Sequence, residues 1–396
     1  MRPQLRIFVL VLPLLGMTRS ALPAPAHWPQ DAYVWQRLWT SALAASLNSS
    51  SDLIADWRVL VAETGGDGQL KAVALNWPAL RMTGKPVIAV IRIDGTLARL
   101  NEDLLLAQIR DLALRWKQTQ IAGLEIDYDC ATSRLADYAQ FLRRLRSLPG
   151  LPRRLSVTAL PSWIGSAHLS ELSGAADEIV LQVHAVRAPR FALFNAAEAR
   201  TWIDAFDRIT TKPFRIALPD YAVRTVWNKT GDLLAIESET PRLAGGTYVR
   251  ELVAEPRAVA RLLDALAYSP PRHLAGIVWF RLPTDDDSFT WGLATWRAVA
   301  RGDLLQDSLA IVSPPASTPG LRNIVIVDTG TIDSELPRSI VLPAGCRVAD
   351  GVNGYALDMG GGEIVLQRLQ NALLRAHHHQ TIGWMRCGQG AFDVRP

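Results

Sequence analysis

The stretch Gly123-Leu124-Glu125-Ile126-Asp127-Tyr128-Asp129-Cys130 decides the fold of this chain. Apolar and acidic side chains alternate along it. Successive side chains of a strand point to opposite faces, so Leu124, Ile126 and Tyr128 share one side and Glu125, Asp127 and Asp129 the other. Helical patterns flank it. On one side Asn101 precedes Glu102-Asp103 and a series of Leu104, Leu105, Ile109, Leu112 and Trp116 at helical spacing. Asn101 is the expected N-cap, with acids favoured in the first turn. On the other side, 132–148 places Leu135, Tyr138, Phe141, Leu142 and Leu145 on one face and five charged residues on the opposite one. A strand set between amphipathic helices predicts βαβ units and a parallel sheet.

The same grammar repeats outward from this unit. Short β-rich runs at 32–39, 57–63, 86–93, 121–129, 154–160, 178–184, 214–219 and 274–281 each end in a polar residue or meet one within two residues. Eight such units over 27–303 predict a (β/α)8 TIM barrel, an α/β fold. An open doubly wound sheet is the alternative, and the first run is not followed by the Gly-rich phosphate turn that such folds carry. Residues 222–253 interrupt the pattern. Asn228-Lys229-Thr230-Gly231-Asp232 lies between β-prone stretches there, with Ala244-Gly245-Gly246-Thr247 further on, which predicts a hairpin over the C-terminal mouth. Residues 304–320, with Ser313-Pro314-Pro315, predict a linker. A small β-rich module is expected over 321–396.

The 396 residues include 42 basic and 38 acidic side chains, a net charge of +4. Arg2, Arg6 and Arg19 all fall in residues 1–26, and the rest of the chain is close to neutral. Nucleic-acid binding needs a basic footprint that this composition lacks. Residues 1–26 predict a signal peptide: two early arginines, the apolar run IFVLVLPLLGM and then Ala24-Pro25-Ala26. The run is shorter than the roughly 20 residues of a membrane span, so a periplasmic or secreted protein with no membrane span in the mature chain is expected. Of three cysteines, Cys346 and Cys387 share the C-terminal module and are expected to pair in an oxidising compartment, the alternative being two buried thiols. Cys130 has no evident partner.

In a closed barrel the acids at 125, 127 and 129 face the interior and climb to the mouth, where barrel enzymes hold their sites. Burying several carboxylates is costly unless they are paired or protonated. Asp129, Asp127 and Glu125 are therefore the candidate catalytic residues, with Arg92 a possible neutralising partner for Glu125 or Asp127. Arg92, Asp94, Gln182, His184, Asp220 and Tyr221 sit at or near other strand ends and are candidate substrate contacts. Trp35, Trp163 and Trp279, among 13 tryptophans, are the candidate flat surfaces for sugar rings. No cofactor motif or metal-ligand spacing is present, and neither a cofactor nor a metal is expected. His377-His378-His379 reads as a solvated loop.

With these residues in hand, 31–301 resembles a bacterial family known as domain of unknown function 3142. The resemblance is carried by Ala32-Tyr33-Val34-Trp35-Gln36, by 123–130, by Thr158-Ala159-Leu160-Pro161-Ser162-Trp163 and by Leu181-Gln182-Val183-His184. More distantly, 122–129 is similar to the fourth strand of family 18 glycoside hydrolases, the chitinase-like barrels, which reads Asp-Gly-x-Asp-x-Asp-x-Glu. That resemblance implies a general-acid role for Asp129 and a substrate-orienting role for Asp127. Ala122 and Glu125 replace two acids of the pattern, Asp129 is one methylene shorter than the usual Glu, and Gln182-Val183-His184-Ala185 stands where that family has Met-x-Tyr-Asp.

The expected function is carboxylate acid/base hydrolysis of a cell-envelope or extracellular polysaccharide or oligosaccharide. The alternative is a non-catalytic carbohydrate-binding or envelope-scaffold protein on a degenerate barrel. A metal-dependent hydrolase using Asp127, Asp129 and His184 ranks last.

Overall fold

The computed structural model describes residues 28–97, 99–116, 119, 121–185, 192–238, 248–359 and 363–387. The expectations for the signal peptide at 1–26 and for Ala244-Gly245-Gly246-Thr247 lie outside these residues.

Eight parallel strands close into a barrel: β1 (Gln30–Val34), β2 (Ile54–Thr64), β4 (Val87–Ile93), β5 (Ile121–Tyr128), β6 (Arg154–Ala159), β7 (Glu178–Gln182), β8 (Phe214–Pro219) and β12 (Leu274–Phe280). The circuit closes because β1 pairs with both β12 and β2. The short β3 (Leu70–Ala72) folds back antiparallel on the end of β2. Each expected run thus overlaps a barrel strand, although β1 starts before the run at 32–39 and ends at Val34, leaving 35–39 outside it. Outer helices are α1 (Ser41–Ser50), α2 (Trp77–Met82), α3 (Glu102–Arg115), α4 (Leu135–Arg146), α5 (Leu169–Ala175), α6 (Ala196–Ile209), α7 (Pro256–Tyr268) and α8 (Leu293–Arg301). Side-chain caps start three of the longer ones: Thr40 accepts from Leu43 N, Asn101 from Leu104 N and Asn195 from Ala197 N and Glu198 N.

The main core lies between strands and helices. Leu124, Ile126 and Tyr128 of β5 join Tyr138, Phe141 and Leu142 of α4 there. The barrel interior is a separate layer of Tyr33, Trp35, Leu60, Val90, Val180, Ala217 and Val278. The insertion after β8 forms a three-stranded antiparallel sheet of β9 (Ala222–Trp227), β10 (Leu233–Glu237) and β11 (Tyr248–Val253). Asn228 Oδ1 accepts from the backbone of Thr230 and Asp232 and closes the β9–β10 turn.

The C-terminal module has nine strands among the described residues: β13 (Leu309–Val312), β14 (Arg322–Asp328), β15 (Ser334–Glu335), β16 (Ser339–Val341), β17 (Cys346–Gly351), β18 (Tyr355–Asp358), β19 (Val365–Arg368), β20 (Leu373–Leu374) and β21 (His379–Cys387). The expected linker at 304–320 is corrected here, because β13 pairs antiparallel with β14 and is the edge strand of the module's main sheet. The proline-rich residues that follow it, from Ser313 on, masked this short apolar run. The module is tied to the barrel by polar contacts. Asp333 accepts from Gly292 N and Thr295 Oγ1 at the start of α8, each at 2.7 Å. Arg375 donates to the carbonyls of Thr284 and Asp287 in the loop after β12.

Cys346 and Cys387 are disulfide-bonded across the β17–β21 pair, 41 residues apart in sequence. Cys130 is free and buried, and burial pushes its thiol up to about 12. Removing the bond in a Cys346→Ser/Cys387→Ser variant is expected to destabilise the module by about 4 kcal/mol in the chain-entropy model. Hydrogen exchange is expected to speed up in β17 and β21 while the barrel strands keep their protection. Equal acceleration in both would contradict a local effect.

Candidate active site

Alternation along β5 does put the three acids inside the barrel, but at three different levels. Glu125 is at the lowest and belongs to an ion lattice that fills the N-terminal half of the interior. Its carboxylate pairs with Arg58, accepts from Tyr33 Oη at 2.6 Å and accepts from Ser156 Oγ at 2.8 Å. Arg58 is completely buried and also binds Asp31 at 2.9 Å and Glu178 at 2.6 Å. Arg215 and Arg154 complete the lattice through Glu178, at 3.0 and 3.1 Å. Gly276 makes room for it, since a Cβ there would fall 2.0 Å from Arg215 Nη1. Glu125 is therefore not part of the mouth, which corrects its expected catalytic candidacy. Its expected partner is corrected as well. A dry interior demands a charge for each carboxylate, and Arg58, not Arg92, supplies it.

Asp127 stands one level higher, with its side chain buried and its Oδ1 accepting from Thr158 Oγ1 at 2.8 Å. Arg92 is its register neighbour on β4. Burial and the charge of Asp129 push the Asp127 carboxyl up to about 7, against the lowering effects of Arg92 and Thr158. Asp129 follows the end of β5 and is exposed at the rim. The chain beyond β4 lies against it, and a Cβ on Gly95 would fall 2.2 Å from the Asp129 carbonyl oxygen. The walls of the mouth raise the Asp129 carboxyl too, and Arg92 opposes the rise. Asp129 is far more open to solvent than Asp127, so a proton shared by the pair rests mainly on Asp127.

This arrangement has a pH signature. The folded state holds the Asp127 proton more tightly than the unfolded chain, whose carboxyl titrates near 3.8. The stabilisation is complete below that value and is lost as pH rises through about 7. An Asp127→Asn variant is therefore expected to gain stability relative to the parent as pH rises from about 4 to about 8. Melting temperatures of both proteins across that range check it, and parallel curves would contradict it.

Aromatic rings make the wall. Tyr33, Trp35 and Phe280 meet edge to face with centroids 5.1–5.6 Å apart. His184 stacks on Phe280, and Tyr221 stands edge-on to both. Burial drives the His184 imidazole down to about 3, so it is neutral at physiological pH and cannot serve as a cationic acid. Its Nδ1 lies 3.3 Å from the Tyr221 hydroxyl. The Arg92 guanidinium sits 5.8 Å from the Trp35 ring centroid. Arg281 is pinned at the rim by Asp287 and donates to the Ser238 carbonyl of the insertion at 2.7 Å. Together these groups enclose a cavity of 220 Å³ that Gln182 also lines.

Four other expected contacts lie elsewhere. Trp279 faces outward, fully buried against Trp291 and Trp296, with Nε1 donating to Gln30 Oε1 at 2.7 Å. Trp163 is fully buried behind β5, where Nε1 donates to the Cys130 carbonyl at 3.1 Å. Both lie on the strand–helix side, where bulky apolar rings gain most from burial. Asp94 bonds Thr96 outside the cavity lining, and the neighbouring Thr96 bonds and Arg92 lower its carboxyl. Asp220 is buried behind the rim, outside the lining, and burial raises it well above the usual carboxylate range. Tyr33, Thr158 and Phe280 line the cavity without having been singled out, as do Ile236 and Ser238 of the insertion. Tyr33 shares its parity with Trp35, and that signal alone would have found it. Among the described residues no group of three or more His, Cys, Asp or Glu is arranged to hold a metal ion.

The family described as Domain of unknown function (DUF3142) matches residues 83–285, and Domain of unknown function (DUF8456) matches residues 311–388. Among solved structures, the chain is similar to a chitinase from Chromobacterium violaceum ATCC 12472. The identity is 16% and the TM-score 0.50, over 69% of this chain and 98% of that one. It is also similar to the spore cortex-lytic enzyme SleL of Bacillus megaterium QM B1551, at 13% identity and a TM-score of 0.51, over 72% of this chain and 76% of that one. At these identities the likeness is one of fold, a chitinase-like barrel. No curated protein matches by sequence.

Proposed function

The chain belongs to the DUF3142 family, and from the chemistry of its barrel mouth we propose that it is an exported glycoside hydrolase acting on a cell-envelope or extracellular polysaccharide. The observation that carries this is the Asp127–Asp129 pair, a buried carboxyl and a rim carboxyl, both raised by the walls of the mouth and set against aromatic rings at its C-terminal end. Glycoside hydrolysis needs one carboxyl protonated at working pH and a second negative group nearby. The pair supplies both near neutrality. The proton of the pair passes from Asp127 to Asp129 at the rim, which delivers it to the bridging oxygen as the bond to the anomeric carbon breaks. The positive charge that develops on the sugar faces Asp127, left negative by that transfer and held in place by Thr158. Water adds to the anomeric carbon, and its proton returns to the pair. Trp35, Phe280 and Tyr221 offer apolar ring surface, and Arg92, Gln182 and His184 offer polar contacts.

Export is supported by the signal-like residues 1–26 and by the Cys346–Cys387 disulfide, which persists in oxidising compartments. Among the described residues no helix is long and apolar enough to cross a membrane. The barrels of similar fold include proteins named as a chitinase and a spore cortex-lytic enzyme.

Incubation of the mature protein with a panel of envelope and extracellular polysaccharides, followed by release of new reducing ends, tests the reading. A second reading is a non-catalytic sugar-binding barrel, favoured by the diversion of Glu125 into the ion lattice. Tight binding with no new reducing ends would select it.

A further inference from the structure

We infer that the mouth is a pit for one chain-terminal sugar unit, so that the polysaccharide is attacked from its end and not along its length. This rests on the hydrolase reading and names its substrate class. The lining comes from nearly the whole circumference of the barrel: β1, β4, β5, β6, β7, β8 and β12 all contribute, at their ends or just beyond. The remaining strand, β2, carries Glu63 next to its last residue, and Glu63 is paired with Arg37 from the chain beyond β1 at 2.6 Å. A trench that passes an unbroken polymer needs two open sectors facing each other across the mouth. Here one flank is walled by Ile236 and Ser238 of the insertion. That wall is fixed in place, since Arg281 bonds Ser238 and is itself held by Asp287, whose carbonyl accepts from Arg375 of the C-terminal module.

Size agrees with shape. The cavity of 220 Å³ falls below the roughly 300–1,000 Å³ of sites for larger ligands. It suits one pyranose ring resting among Tyr33, Phe280 and Thr158. An internal unit carries two linkages that must both leave the pit, whereas a terminal unit carries one. That single linkage exits upward at the rim, where Asp129 is exposed, while Asp127 lies beside the seated ring. The vertical order of the two acids thus matches a ring below and a scissile oxygen above.

The test uses the full mature chain on soluble linear polymers, with products sized at low conversion and solution viscosity followed in parallel. Monosaccharide as the first product, with viscosity falling only as mass is lost, is the expected result. An early ladder of oligosaccharides with a steep loss of viscosity overturns the inference and leaves the hydrolase reading standing. If no polymer is cleaved, the hydrolase reading falls, and calorimetric titration with glucose against cellotetraose and N-acetylglucosamine against chitotetraose decides the pit. Affinity within about tenfold between monomer and tetramer supports it. A steady rise with chain length, or no binding of any of the four sugars, overturns it.

Discussion

Replacing Arg58 by methionine is expected to destabilise the protein by about 3–5 kcal/mol, the cost of leaving buried carboxylates without their cation. Arg58 has no exposed surface and is shared by Asp31, Glu125 and Glu178. Methionine keeps most of the volume and removes the charge, so the loss is electrostatic and not a cavity effect. Thermal unfolding is expected about 10 °C lower. Denaturant unfolding monitored by tryptophan fluorescence measures the effect, and a loss under about 1 kcal/mol, the scale of a surface pair, would refute it. Arg154→Met is the control, since Arg154 is partly exposed and its loss still leaves Glu178 bound to Arg58 and Arg215. The lattice also sets an acid limit. Burial alone would raise Glu178, but Arg58, Arg215 and Arg154 outweigh it and hold the carboxyl down to about 2, against 4.5 in the unfolded chain. That stability is present above 4.5 and is lost as pH falls through about 2.

Asp129→Asn is expected to lower kcat/KM on the best polysaccharide of the panel by about 10²–10⁴-fold, the usual worth of a positioned general acid. Asp129 is exposed at the rim, so the variant is expected to fold with little change in melting temperature, which separates a chemical loss from a structural one. The pH profile adds a second readout. The parent needs its shared proton, so its activity is expected to fall as pH rises through about 7. In the variant, Asp127 no longer faces the Asp129 charge, and its carboxyl is expected to shift downward. A ¹³C titration of the aspartate carboxyls measures that shift directly. Turnover unchanged by the substitution would remove Asp129 from the chemistry.

Much of this site was legible in the alternation of 123–130. Period-two patterning identifies which acids share a face, and eight repeats of the strand grammar imply a closed ring whose interior receives that face. Arg58, Arg154, Arg215 and Glu178 left a trace as well, since each is a charged residue at or near the start of an otherwise apolar run. Read together they predict a charged lowest layer; read singly they look like strand ends in solvent. Trp279 shows where alternation fails. Trp279 and Phe280 are adjacent, large and apolar, so hydrophobicity cannot say which one turns inward. Packing on Trp291 and Trp296 turns Trp279 outward and gives the mouth to Phe280.

What the sequence determined by itself was therefore the ring of strands and the common inward face of Glu125, Asp127 and Asp129, because side-chain direction along a strand is a local property of the backbone. What only the tertiary structure decided was the level at which each acid stands and the company it keeps there. Strand stagger around the barrel brings Arg58 to Glu125, Thr158 to Asp127 and open solvent to Asp129. Whether a carboxylate is neutralised, protonated or free depends on charges and water arriving from strands distant in sequence, and no local pattern encodes that arrival.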